Sequence, residues 1–178
     1  MSDTRPVIET LIAEEDIAGR VAGLAGEIAE SAGKNLLIVV ILKGSFVFAA
    51  DLIRALERVG VEPQVDFMTL SSYGTGTESS GSVALVRDIS EDVAGRDVLI
   101  VDDILESGRT LAYACDLMRA RGASNVKTCL LLDKAGKRSV PIEADYCGFE
   151  IGDRFVVGYG LDYAHHYRGL PHIAVVQR

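Results

Sequence analysis

The chain has little of what marks several protein classes. It holds only 3 cysteines, Cys115, Cys129 and Cys147, an odd number with no CxxC spacing. They read as small buried hydrophobes in a reducing cytosol. No apolar run approaches the ~20 residues of a membrane span; the longest uninterrupted aliphatic stretch is Leu36 to Leu42. The start, MSDTRPVIETLIAEEDIAGR, is acidic and broken up and has no basic-then-apolar leader. A cytoplasmic protein is expected, with no membrane partner. Basic residues are scarce: 18 Lys and Arg stand against 26 Asp and Glu, a formal net charge of -8. That balance argues against a nucleic-acid partner, which asks for a basic face. There is no internal repeat, low-complexity tract or linker rich in Pro or Ser. No GxGxxG follows a strand, and no GxxxxGK[ST] is present. His165 and His166, with His172 further on, make a poor metal pattern, because adjacent residues rarely face one ion; a surface role is expected.

What is present suits one globular domain spanning residues 1–178, with 48% hydrophobic and 25% charged residues. Residues 7–32 carry apolar positions at spacings of three and four and predict a helix. Leu36 to Leu42 predicts a strand buried on both faces, as in a parallel sheet. A helix over Phe46 to Val59 and a strand over Val65 to Leu70 follow. Asp97 to Val101 predicts a short strand, Asp102 to Gly108 a loop, Thr110 to Arg121 a helix and Asn125 to Leu132 another strand. This alternation implies an α/β fold with an open, mainly parallel sheet flanked by helices. Ligands on such sheets bind beyond the carboxyl ends of the strands. That rule selects Lys43-Gly44, Asp102 to Thr110 and the segment after Leu132. Ser71 to Gly81, rich in glycine and hydroxyls, reads either as a lid or as a surface hairpin.

Val98 to Leu111 carries the strongest chemical signal. A buried strand delivers Asp102 and Asp103, and then Glu106, Ser107, Gly108, Arg109 and Thr110 open a helix. Helix-start N–H groups and hydroxyls cradle a phosphate, and Gly108 lets the backbone approach closely. Paired carboxylates suit sugar hydroxyls or a Mg²⁺-bound ligand. A bare cap at Ser107 explains less, since capping needs one such residue. Asp133 beside Lys134 could instead form a surface pair, and Lys134 to Arg138 could be a solvated turn.

This segment resembles the phosphoribosyl-diphosphate signature of the type I phosphoribosyltransferases. Leu42-Lys43-Gly44-Ser45 resembles their pyrophosphate loop, Ser72-Tyr73 their lid dipeptide, and Leu132-Asp133-Lys134 their base-recognition segment. Gly148 to Ile151 and Phe155 to Tyr163 are similar to the carboxyl-terminal signature of the hypoxanthine-guanine branch. The match is collinear from about Leu36 to Arg168.

The resemblance implies an enzyme of purine salvage, with a small hood formed by the terminal segments. It would join 5-phosphoribosyl 1-diphosphate to a 6-oxopurine, hypoxanthine or guanine, releasing pyrophosphate. By position, Glu106 to Thr110 would hold the ribose 5-phosphate, with Arg109 acting through its backbone only. Asp102 and Asp103 would hold the ribose hydroxyls, directly or through Mg²⁺. Lys43, Gly44 and Arg168 would meet the pyrophosphate, and Asp162 a second Mg²⁺ through water. Lys134 would donate to the 6-oxo group, Phe155 would stack on the ring, and the backbone at Val156 would read its edge. Glu106 stands where the family usually has Asp as the general acid/base, one methylene shorter. A homodimer or homotetramer is implied. Two alternatives share the fold: a xanthine-preferring enzyme, and a phosphoribosyl-diphosphate-sensing regulator, against which the acidic charge argues.

Overall fold

The computed structural model describes residues 8–72 and 82–177. A central sheet runs in the order β4-β3-β2-β5-β6-β7. Its strands are β2 (Leu36–Leu42), β3 (Gln64–Ser72), β4 (Val83–Arg87), β5 (Asp97–Leu105), β6 (Asn125–Lys134) and β7 (Tyr146–Ile151). All neighbours pair parallel except β3 and β4, which are antiparallel. Alternate side chains of β2 serve opposite layers, as a doubly covered strand requires. Ile38 and Val40 join the core under helices α1 (Glu14–Ala29) and α2 (Phe46–Arg58). Leu37, Val39 and Ile41 join the core under helix α3 (Arg109–Ala120).

The helices follow their apolar spacing. α1 buries Ile17, Val21, Leu24, Ala25 and Ile28, and its first turn carries Glu14, Glu15 and Asp16, which suit the positive end of the helix dipole. α3 buries Leu111, Ala114, Cys115 and Met118 and starts at Gly108, whose φ of 82° is left-handed. Among the described residues no helix is long and apolar enough to cross a membrane. Cys115 and Cys129 are buried free thiols as expected, whereas Cys147 on the edge strand is only partly buried. His165 and His166 are exposed.

Two expectations are corrected. The helix predicted from residue 7 begins only at Glu14. Ile8–Ile12 form a strand instead, β1, paired antiparallel with β9 (Ile173–Val176). Ile8, Leu11 and Ile12 fit helical spacing, but five residues cannot separate that period from a strand, and the distant partner decides. β1, β9 and β8 (Val156–Val157) make a second small sheet, the expected hood. The second correction concerns Asp102 to Leu105. They are strand rather than loop, because the ladder to β6 continues through Asp102↔Leu130, Ile104↔Leu132 and Leu105↔Asp133. The turn shrinks to residues 106–108. Of the expected lid, Ser72 ends β3 opposite Val83, while Tyr73 and the rest up to Gly81 lie outside the described residues.

The chain leaves β2 toward β3 on one side and returns to β5 on the other. The carboxyl ends of β2 and β5 therefore flank the point where strand order reverses, where open α/β sheets place their ligands.

Candidate active site

A cleft of about 620 Å³ opens at that point. Nine expected residues line it: Lys43, Gly44, Asp103, Glu106, Lys134, Phe155, Val156, Asp162 and Arg168. Three strand ends and the hood thus converge, although the residues span more than a hundred positions. Asp102 is buried just behind the wall, 8% exposed. Ser107, Gly108, Arg109 and Thr110 are not on that wall; they continue from Glu106 around the turn into the first residues of α3.

Asp102 and Asp103 are held by the backbone. Asp102 Oδ1 accepts the Asp103 N–H at 2.9 Å, and Asp103 Oδ1 accepts the Ile104 N–H at 2.7 Å. Burial, and then the charge of Asp103, pushes Asp102 well above the usual carboxylate range. Burial also raises Asp103, against the Ile104 N–H and the Arg168 charge. Gly44 sits hard against this pair: a Cβ there would overlap Asp103 Oδ2 and lie 2.8 Å from its Cγ. The peptide bond between Leu42 and Lys43, just before it, is cis.

The hood closes on the same loop. A Cβ on Gly160 would overlap the Gly44 carbonyl. Arg168 donates to the Gly160 carbonyl at 2.7 Å and pairs with Asp162 at 2.7 Å. The other Asp162 oxygen accepts the His165 N–H at 2.8 Å. A cation at Asp162 would therefore share that carboxylate with Arg168. The Phe155 ring meets Tyr163 edge-on, with centroids 5.6 Å apart.

Lys134 does not pair with Asp133 at the surface. It ends β6, only 7% exposed, with Nζ 3.6 Å from Glu106 Oε2. Asp133 points away and pairs with Arg138 at 2.5 Å. The reason is strand alternation: neighbours on β6 face opposite sides. The Arg109 side chain also leaves the cleft, its Nε donating to Ser139 Oγ at 3.0 Å, in keeping with a backbone role. The Ser107 hydroxyl accepts the Arg109 N–H at 3.4 Å.

Leu42, Ile104 and Leu161, on the wall, lie within the quoted motifs but had no assigned role, and Thr69 and Leu70 fell outside them. Arg138, which sits behind the 106–108 turn, had no assigned role; a solvated turn was one reading of its segment. Arg138 Nη1 lies 3.0 Å from the Glu106 carbonyl. Backbone partners leave no trace in residue type, so no signal marked it.

The comparisons with known proteins agree with this geometry. Residues 8–164 match the model of the phosphoribosyl transferase domain family. The hypoxanthine phosphoribosyltransferase of Escherichia coli is 43% identical over 172 residues, covering 95% of each chain. The bifunctional protein TilS/HprT of Listeria innocua is 48% identical over 170 residues, covering 95% of this chain. This chain spans only 26% of that relative's length. A solved hypoxanthine phosphoribosyltransferase from Staphylococcus aureus superposes with a TM-score of 0.88 at 42% identity, covering 95% of this chain and 91% of that one.

Proposed function

Because the chain belongs to the phosphoribosyltransferase family, we propose that it joins hypoxanthine or guanine to 5-phosphoribosyl 1-diphosphate, forming a nucleoside monophosphate and pyrophosphate. It is a glycosyltransferase of purine salvage. One observation carries the reading: a buried lysine ammonium and the Glu106 carboxylate meet 3.6 Å apart at two adjoining strand ends, beside Asp103, Gly44 and Arg168 in one cleft.

Each group meets a need of the reaction. Departure of pyrophosphate builds negative charge on the leaving group and positive charge on the ribose. Lys43 and Arg168 neutralise the first, and the Gly44 backbone admits it closely. Asp102 and Asp103 hold the ribose hydroxyls. The turn from Glu106 to Thr110 seats the 5-phosphate at the start of α3. Glu106 takes the purine N7 proton as the new bond forms, a step worth ~10²–10⁴-fold. Lys134 donates to the 6-oxo group, Phe155 stacks on the ring, and the Val156 backbone reads its edge. A 6-amino purine would present a donor to the lysine donor, leaving both unpaired.

The residues present fit Mg²⁺. Two adjacent carboxylates, Asp102 buried and Asp103 half-buried, both held above their ordinary range, call for a cation. Among the described residues no three His, Cys, Asp or Glu are grouped to hold a metal alone, so the ligand's oxygens would complete the shell. When bound, Mg²⁺ supplies charge stabilisation to the leaving pyrophosphate. Asp102 and Asp103 would hold one ion, and Asp162 a second through water. The reading places the enzyme in the cytoplasm, as a homodimer or homotetramer.

A panel assay tests the reading. With phosphoribosyl diphosphate and Mg²⁺, hypoxanthine or guanine forms nucleotide and adenine does not. Turnover of adenine, or of no 6-oxopurine, refutes it.

A further inference from the structure

We propose that Arg138 is a positioning residue that couples the acid/base turn to the purine-selecting lysine; the inference rests on the function proposed above. The Arg138 guanidinium lies part-buried between the ends of β5 and β6. Its Nη1 donates to the carbonyls of Leu105 at 3.1 Å, Glu106 at 3.0 Å and, more loosely, Lys134 at 3.3 Å. Three carbonyls thus share the two protons of one nitrogen. Nε donates to the Ile142 carbonyl at 3.1 Å, and Nη2 donates to Asp133 Oδ1 at 2.5 Å.

Only a planar fork serves all these acceptors together. A guanidinium carries five N–H donors in fixed directions, whereas an ammonium is a point charge on a flexible stem. The geometric consequence is direct. Glu106 and Lys134 enter the cleft from different strand ends, and Arg138 bonds to the backbone of both. Asp133 fixes the outer edge of the guanidinium, so a shift of one carbonyl is passed to the other.

The residues after Arg138 brace the same turn. The Ser139 N–H, Val140 N–H and Ser139 hydroxyl all donate to the Ser107 carbonyl, at 2.9, 3.2 and 3.2 Å. Gly108 is packed against this brace: a Cβ there would lie 2.6 Å from Ile142 Cγ2. Phosphate settling in the turn therefore fixes, through Arg138, where the lysine presents its donor.

The test is the selectivity of the enzyme, expressed as Ki for adenine over KM for hypoxanthine. It is measured in the full chain with Arg138→Lys, Lys134→Met and the double variant. Misplacing the lysine lowers the selectivity ratio on the order of tenfold in Arg138→Lys. Once Lys134 is replaced, Arg138→Lys lowers the ratio by no more than about twofold, because the group it aligns is gone. Loss of packing alone would weaken turnover of all purines and leave the ratio unchanged; that result overturns the proposal, as do additive losses in the double variant. Asp133→Asn releases the guanidinium without removing it and lowers the ratio about threefold, in the same non-additive way. It carries the test if Arg138→Lys does not fold. A wild-type chain that turns over no 6-oxopurine overturns the proposed function itself, in an arm read before any variant.

Discussion

Gly44→Ala tests how closely the loop after β2 and the acids at the end of β5 must approach. The added Cβ would overlap Asp103 Oδ2 and lie 2.8 Å from Asp103 Cγ. Ordinary van der Waals separation is near 3.5–4 Å, so Asp103 Cγ must retreat by about 1 Å and its overlapping Oδ2 by more. Gly44 is not among the positive-φ glycines, so no left-handed backbone bars alanine there and the overlap with Asp103 is what the substitution adds. Asp103 is short, and its Oδ1 already accepts the Ile104 N–H at 2.7 Å. Retreat breaks that bond, a charge-assisted one worth ~1.5–3 kcal/mol. A misplacement of about 1 Å at reacting groups costs up to ~10²-fold. Both routes give a loss of roughly 10- to 100-fold in kcat/KM.

Stability moves less than activity, because opposing terms meet. The broken bond and the overlap destabilise, whereas removing a glycine favours the folded state by about 0.4–1 kcal/mol where the conformation is allowed and a carboxylate released toward solvent sheds its burial cost. The assay is kcat/KM for phosphoribosyl diphosphate at saturating hypoxanthine, beside a thermal melt. A folded Gly44→Ala protein with kcat/KM within about twofold of wild type would show that the Asp103 carboxylate is not needed where it stands.

Lys134→Met keeps the buried stem and removes the donor; the lost charged hydrogen bond, ~1.5–3 kcal/mol, lowers kcat/KM for hypoxanthine about 10- to 150-fold. Phosphoribosyl-diphosphate affinity changes little in that variant, and equal losses for both substrates would remove Lys134 from purine recognition. Glu106→Gln lowers the single-turnover rate by ~10²–10⁴-fold with little change in binding; an unchanged rate removes Glu106 from proton transfer. Asp102→Asn stabilises the ligand-free protein by about 0.5–2 kcal/mol at neutral pH, a Tm gain of roughly 2–6 °C. The sign follows from burial and the Asp103 charge, which hold Asp102 above the ordinary value of 3.8. Its contribution to stability is full below about pH 4 and is lost as pH rises through the folded-state value. The melting gap between Asp102→Asn and wild type therefore widens from pH 4 upward, and a gap that narrows contradicts the assignment.

Much of the fold was legible because long elements carry their period in full. β2 reads as a doubly buried strand from its residues alone, and α2 and α3 start and stop within a residue of expectation. β1 was not legible, since a five-residue strand is specified by its pairing with Ile173–Val176, more than 150 positions away. The reach of β5 through Asp102 and Asp103 was hidden for a related reason. Acidic residues read as loop, yet the β6 ladder holds this stretch as strand, with Asp103 lining the cleft and Asp102 buried behind it. The site residues were legible where side-chain chemistry defines them, as at Lys134 and Asp103. Arg138 was not, because its main partners are carbonyls that every residue possesses.

The cleft concentrates groups that are costly without a ligand. A buried carboxylate, Asp102, is repelled by the half-buried Asp103, an ammonium is buried with the Glu106 acid at 3.6 Å, and Arg168 must serve Asp162 and the Gly160 carbonyl at once. A sequence selected for stability alone would replace such groups with apolar residues of similar volume. Their retention makes sense if the missing partners arrive with the substrates: a cation for the acids, a 6-oxo oxygen for the lysine, a pyrophosphate for the arginine. Each then relieves a cost the free chain carries, so binding and stability are linked. The ligand-free protein should thus be stabilised more by phosphoribosyl diphosphate with Mg²⁺ together than by the sum of their separate effects, since the metal completes its shell with the ligand's oxygens. An additive pair of Tm shifts would mean that the two acids answer to something other than a shared cation.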